Sequence, residues 1–115
     1  MLGNNLGLLG SPERAPGTLA ALGAVLRPGG VIVGGCIDPY QTDKPVHLGY
    51  HGRNRWAGRM PGQVTIRVRY QRLATEWFDP LWMSLNELGE IAAPAGWRVT
   101  SALPGAEYRA VLARP

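Results

Sequence analysis

Cysteine is almost missing from this chain: Cys36 is the one thiol in 115 residues. No internal disulfide can form and no Cys-rich zinc site can be filled, which excludes disulfide scaffolds and fits a reducing compartment. Long apolar runs are missing too. Gly23 interrupts the stretch from Leu19 to Leu26, and Val31 to Val33 stops at Gly34, well short of the roughly 20 residues a bilayer span needs. The first twelve residues hold no basic cluster and pair only Leu8 with Leu9, so a secretory leader is not expected and the sequence reads as cytoplasmic. No internal repeat or low-complexity tract occurs. Acidic residues are absent from the whole stretch between Lys44 and Thr75, which carries seven bases.

What is present fits one domain covering residues 1–115. Apolar residues make up 45%, enough for a core at a length where about two-thirds of the unfolded chain's surface can be buried. With 16 Gly and 10 Pro the chain must turn often, yet it holds too much Leu, Val and Ala for disorder. The formal charge of +4 is unevenly placed, because the middle third is +7 while the segments before and after it are net acidic. Eleven of the twelve bases are Arg, whose planar fork suits carboxylate or phosphate better than a lysine point charge does.

Met1 to Leu9 reads as a strand end running into a loop closed by Gly10-Ser11-Pro12. Leu19, Leu22, Val25 and Leu26 recur at helical spacing, which predicts a helix from about Pro16 to Arg27 that Pro28-Gly29-Gly30 stops. Val31-Ile32-Val33-Gly34-Gly35-Cys36-Ile37 comes next as a strand apolar on both faces, completing a βαβ unit. Asp43 and Pro45 then open a second helix bearing His47, Tyr50, His51, Asn54 and Arg55, ended by Met60-Pro61-Gly62. Val64, Ile66, Val68 and Tyr70 alternate with Thr65, Arg67 and Arg69, the pattern of a strand with one buried and one cationic face. Glu76 to Met83 can pair with it as a hairpin, bringing Trp77, Phe78, Leu81 and Trp82 as apolar cover. Ser84-Leu85-Asn86-Glu87 has capping-box spacing before a helical stripe through Leu88, Ile91 and Ala95, with Pro94 disturbing the last turn. Arg98 to Leu103 and Glu107 to Ala113 form a final antiparallel hairpin across Pro104-Gly105-Ala106.

The strand ending in Gly3-Asn4-Asn5-Leu6-Gly7-Leu8-Leu9, the helix closing on Leu26-Arg27-Pro28-Gly29-Gly30, the buried strand, the inserted segment, the helix ending at Ala95-Gly96-Trp97 and the terminal hairpin together resemble the C-terminal half of a class I S-adenosylmethionine-dependent methyltransferase. The resemblance covers essentially the whole chain. It implies an α/β fold with a partial Rossmann-like sheet made of the family's fourth to seventh strands, and residues 38–83 as a helix-plus-hairpin cap over the acceptor site. It also implies transfer of a methyl group from a sulfonium to an N, O or C nucleophile. The family's Gly-rich turn after its first strand and acidic residue after its second have no counterpart here. Gly29-Gly30 and Gly34-Gly35 cannot replace that turn, since they precede or sit within a strand rather than joining one to a helix N-terminus. The expectation is a truncated form, inactive alone, that binds S-adenosylmethionine only with a complementary N-terminal half, or that associates with itself or with a partner.

Asn4 and Asn5 lie where the first strand ends, the position at which open α/β sheets bind ligands, and the resemblance places them beside the cofactor; the other reading is that Asn-Asn simply tolerates left-handed turn geometry. Tyr40, His47, Tyr50, His51 and Arg53 are the substrate-side candidates, either imidazole being able to serve as a base near neutral pH. His47 and His51 are four apart and can share a helix face, but no Glu lies in the intervening turn and no Cys or acid lies near, so no metal site is expected. Cys36 reads as a small buried hydrophobe. Trp77 and Trp82 can wall the pocket or pack the hairpin. The alternative function is a basic, non-enzymatic module that binds nucleic acid or a partner protein through Arg53, Arg55, Arg59, Arg67, Arg69 and Arg72, with Tyr50, Trp56 and Tyr70 as stacking platforms.

Overall fold

The computed structural model describes residues 4–41 and 44–115. Its framework is a three-stranded sheet made of β1 (Val31–Ile37), β4 (Arg98–Leu103) and β5 (Glu107–Ala113), in the order β1-β5-β4. The last strand lies between the other two and runs antiparallel to both. β1 and β4 therefore run parallel to each other, which a helical crossover permits and a hairpin does not. Two short strands, β2 (Arg69–Tyr70) and β3 (Leu73–Ala74), form a separate hairpin. This is a mixed α/β, partial Rossmann-like sheet closed by a terminal hairpin, as the resemblance implies.

The helices form where their end signals stand. α1 (Ala15–Val25) has Pro16 in its first turn, where the missing N–H costs nothing, and the chain leaves it through Leu26 in extended geometry. α2 (Pro45–Trp56) likewise starts on proline. α3 (Leu85–Ala92) is held by a complete capping box: the Ser84 hydroxyl accepts from the Glu87 N–H at 3.1 Å, and the Glu87 carboxylate accepts from the Ser84 N–H at 2.9 Å. Beyond α3, Pro94 tightens the chain into a 3-10 turn, Ala93–Ala95, which Gly96 ends at φ 79. None of these helices is long and apolar enough to cross a membrane.

One face of the sheet carries the core. Ile32, Cys36, Tyr108, Ala110 and Leu112 are buried together with Leu19 of α1, Leu88 and Ile91 of α3, and Trp97. Leu6 and Leu9, from a 3-10 turn at Asn5–Leu9, complete the cluster. Leu6 lies so close over Gly34 that a methyl group there would run into its side chain. Burial drives the Cys36 thiol pKa upward and so keeps it protonated, consistent with a packing role. On the opposite face Val31, Val33 and Leu103 are about half exposed or more.

Several expectations need correction or fall outside the described residues. Of the strand end expected within Met1 to Leu9, residues 1–3 are outside those described, and Asn5–Leu9 is a 3-10 turn rather than the tail of a strand. Asp43 is also outside the described residues, and the cap position of α2 is Lys44. α2 ends at Trp56, a turn before Met60, because Gly58 takes the left-handed conformation at φ 73. The alternating stretch from Gln63 to Tyr70 is not one regular strand. It meets the chain coming back only at isolated bridges, Gln63 to Leu81 and Ile66 to Phe78, before the short β2. Pro80 opposite it accepts from the Val64 N–H at 3.1 Å but has no N–H to return. Of its apolar face only Val64 is buried, while Ile66, Val68 and Tyr70 are increasingly exposed.

Candidate functional site

Between β1 and α3 the chain leaves the sheet, runs through α2 and returns as a long hairpin arm. Where the arm closes it is tight: the Trp82 N–H donates to the Gly62 carbonyl at 2.8 Å, and a side chain at Gly62 would overlap the Trp82 carbonyl. The arm is anchored to the body by the Leu81 N–H, which donates to the Gly7 carbonyl at 2.7 Å.

Asn54 sets the distance between arm and helix. It is buried, and its Nδ2 donates to the carbonyls of Pro61 at 2.9 Å and Gln63 at 2.7 Å. Both hydrogens of one amide thus tie the last turn of α2 to the start of the arm. The Gln63 side chain returns the link by accepting from the Met60 N–H at 2.7 Å.

The space left between the two elements is a cleft of about 240 Å³. α2 contributes Val46, His47, Tyr50 and His51; the arm contributes Val64, Thr65, Ile66 and Trp82; Pro39, just past the end of β1, closes one side. Ligands in open α/β sheets sit outside the carboxyl ends of strands, which is where Pro39 stands.

His51 is 5% exposed. Its pKa is lowered, first by burial, then by the positive charge of Arg55, then by His47, so the ring is neutral at neutral pH and able to accept a hydrogen bond or a proton. Arg53 lies over the ring of Tyr50, its guanidinium carbon 5.7 Å from the centroid, at the rim of the cleft rather than in its wall.

Of the five substrate-side candidates, the cleft unites His47, Tyr50 and His51, and Arg53 flanks it. Tyr40 is not in the lining. Its hydroxyl donates to the Glu87 carboxylate at 2.9 Å, and its pKa is pushed up to about 12 by burial first and by Glu87 second. Asn4 is left-handed at φ 69, and its side-chain oxygen accepts from the Ile37 N–H at 2.8 Å. The neighbouring Asn5 is exposed. Trp82 lines the cleft; Trp77 is exposed and carries Arg67 over its ring at 4.8 Å. Among the described residues no three His, Cys, Asp or Glu side chains gather where one metal ion could be held.

Asn54, Val46, Pro39 and Thr65 build the site without standing out as site residues in the sequence. A signal for Asn54 exists. His47, Tyr50, His51 and Asn54 obey the i, i+3, i+4, i+7 rule that normally marks a helix's buried stripe, and a polar residue on such a stripe must find partners.

No protein-family model and no curated protein matches the sequence. Solved structures do match its fold. A SAM-dependent methyltransferase from Bacteroides fragilis, solved in complex with S-adenosyl-L-homocysteine, aligns over 99% of this chain and 46% of its own, with TM-score 0.74 and 23% identity. The CcbJ methyltransferase from Streptomyces caelestis aligns over 98% of this chain and 55% of its own, with TM-score 0.59 and 12% identity. The chain has a class I methyltransferase-like fold and spans about half the length of each of these proteins.

Proposed function

We propose that this chain is the acceptor-side half of an S-adenosylmethionine-dependent methyltransferase. The observation that carries the reading is the likeness over nearly the whole chain to a methyltransferase solved with S-adenosyl-L-homocysteine, together with a cleft beside the end of β1 that suits a small acceptor.

The residues here fit the acceptor side better than the cofactor side. Asn4 Nδ2 and the Asn5 amide are the groups assigned to the cofactor, and two amides do not hold an adenine, a ribose and an amino acid. Cofactor binding therefore belongs to this half only when joined to a complementary N-terminal half. The exposed Val31, Val33 and Leu103 on the open sheet face give such a half apolar surface to bury. The bound cofactor supplies an electrophilic methyl on a sulfonium. The chain's own contribution is to exclude water with Trp82, Val64 and Ile66, to align the acceptor, and to take its proton on neutral His51. Displacement at a methyl group depends on near-attack alignment, and a base adds to it where the nucleophile must lose a proton.

The test is co-expression with the N-terminal half of a methyltransferase of this fold. Calorimetry is expected to detect S-adenosylmethionine binding in the complex and no useful binding to this chain alone. Micromolar affinity in the isolated monomer overturns the half-site reading, and no binding in a folded complex overturns the methyl-transfer reading.

A further inference from the structure

The walls of the cleft are mainly apolar and aromatic, and its α2 side is positively charged. Among the described residues no acidic side chain lines it, Asp79 standing behind the lining residue Thr65 and accepting from its hydroxyl at 2.6 Å; α2 itself holds none while ending on Arg53 and Arg55. Arg53 stands over Tyr50, whose ring is part of the wall. Arg55 stands one helical turn beyond His51 on α2. A cationic acceptor entering past the end of α2 meets like charge. An anionic one is drawn in, because desolvated walls strengthen its attraction to the rim. The volume of about 240 Å³ lies below the 300 Å³ or so at which sites for drug-sized ligands begin. It fits one or two rings and is too small for a folded peptide or a base together with its backbone.

Building on the methyl-transfer reading, we propose that the acceptor is a small planar aromatic bearing an anionic substituent. Its ring lies between Trp82 and the Tyr50 and His51 face of α2, with its anion at Arg53. Trp82 and Tyr50 supply flat surfaces at little entropic cost. The planar guanidinium of Arg53 gives a directional grip on a carboxylate, while Arg55, two residues on along the helix, adds charge from its other flank. His51, neutral and buried, is left to accept a hydrogen bond from a hydroxyl elsewhere on the ring.

The probes are 4-hydroxybenzoate and its neutral isostere 4-hydroxybenzamide, titrated into the folded 115-residue chain and monitored by NMR on backbone amides and histidine rings. The carboxylate is expected to shift the signals of His51 and the α2 amides and to bind at least about tenfold more tightly than the amide, with the gap narrowing as salt rises. Arg53→Gln with Arg55→Gln should bring the two probes to within about twofold of each other. Trp82→Leu should weaken both. Equal affinities in the native chain, binding of neither probe, or a carboxylate preference that survives the double arginine substitution overturns the proposal. So does displacement of the carboxylate by a mixed-sequence oligonucleotide at lower concentration, which would make the arginines a phosphate track. Because these measurements use no cofactor, they separate the two readings. Selective binding of the carboxylate with no methylation of it in the reconstituted complex counts against methyl transfer. Binding of carboxylate and amide alike, with active methylation of a neutral acceptor, counts against the anionic class alone.

Discussion

The Tyr40 hydroxyl donates to Glu87 at 2.9 Å, and so joins the segment leaving β1 to the cap of α3. Glu87 divides its carboxylate between two tasks: Oε1 accepts from the Ser84 N–H, closing the capping box, and Oε2 accepts from Tyr40. One side chain thus fixes the start of a helix and the exit of a strand that are far apart in sequence. Tyr40 is further held by its own N–H, which donates to Asp38 at 2.9 Å. These bonds orient the chain just before and after Pro39, which walls the cleft.

This arrangement predicts a pH dependence at the alkaline end. The Tyr40 pKa is raised to about 12 from an ordinary 10, so the folded state holds the phenolic proton more tightly than the unfolded state does. The resulting stabilisation is complete below pH 10 and is lost as pH rises toward 12. Tyr40→Phe should shrink that fall in melting temperature with pH, the remainder belonging to buried Tyr108, whose pKa burial also raises. At neutral pH, where Tyr40 is about half exposed, it should cost only about 0.5 kcal/mol. An ultraviolet titration in which Tyr40→Phe removes a phenol that ionises near the ordinary value would contradict the assignment.

Asn54 gives a second prediction. Truncation to Ala removes two short hydrogen bonds from a buried position and leaves the carbonyls of Pro61 and Gln63 to find other partners. A loss of about 1–3 kcal/mol is expected, measured by urea denaturation. Because the lost bonds are those between helix and arm, hydrogen exchange should rise first at the Val64 and Ile66 amides, which pair with Pro80 and Phe78. A uniform rise across the sheet would mean that Asn54 acts on global stability alone.

Much of this organisation is readable from local chemistry, and the unreadable part has a physical cause. Ser84 and Glu87 declare a helix start because a capping box is satisfied within four residues. The spacing of Leu19 and Leu22, and the apolar run at Val31, are likewise short-range signals. The alternation at Val64, Ile66 and Val68 points to a strand pressed on the core, but period-two burial says only that one face is covered. It does not say by what. The covering is partly a cleft, so the regular ladder decays where the arm projects beyond the body. The proline opposite Val64 lies 16 residues further on, and no local rule links the two. Helical spacing groups His47, Tyr50 and His51, and the cleft does unite them. Proximity in sequence draws Tyr40 toward the same site, whereas its hydroxyl is claimed by Glu87, a partner 47 residues away.

The two asparagines should behave differently. Asn4 is left-handed at φ 69 and accepts from the Ile37 N–H. Asn4→Ala therefore loses a hydrogen bond and the short polar side chain that makes the left-handed conformation tolerable, for a combined cost of about 1–3 kcal/mol of folding stability. Asn4→Gly should recover the backbone share of that loss. Asn5 is exposed, so Asn5→Ala should leave the fold unchanged. In the reconstituted complex it should weaken cofactor or acceptor binding by roughly 1–3 kcal/mol if its amide faces the site. Thermal melts and calorimetry on both variants distinguish a turn residue from a ligand. A change of only a few tenths of a kcal/mol in cofactor or acceptor affinity with Asn5→Ala makes it loop chemistry.

His51 carries the sharpest prediction, because its environment gives it a definite direction. Burial, Arg55 and His47 all disfavour the imidazolium, so the ring should titrate below the ordinary 6.5 in NMR spectra. Since the unfolded chain takes up the proton first, stability is complete above pH 6.5 and falls as pH drops from there toward the folded-state value. Arg55→Gln removes a repelling charge and should raise the His51 midpoint, and His47→Gln should raise it by less, in the order of the two effects. In the reconstituted enzyme, His51→Gln should lower turnover while leaving cofactor affinity nearly unchanged, the signature of a group that acts on the acceptor. It should also remove the acidic limb of the pH profile that protonation of the ring imposes. If turnover keeps that limb in His51→Gln, the proton is taken elsewhere, and the imidazole serves only as part of the cleft wall.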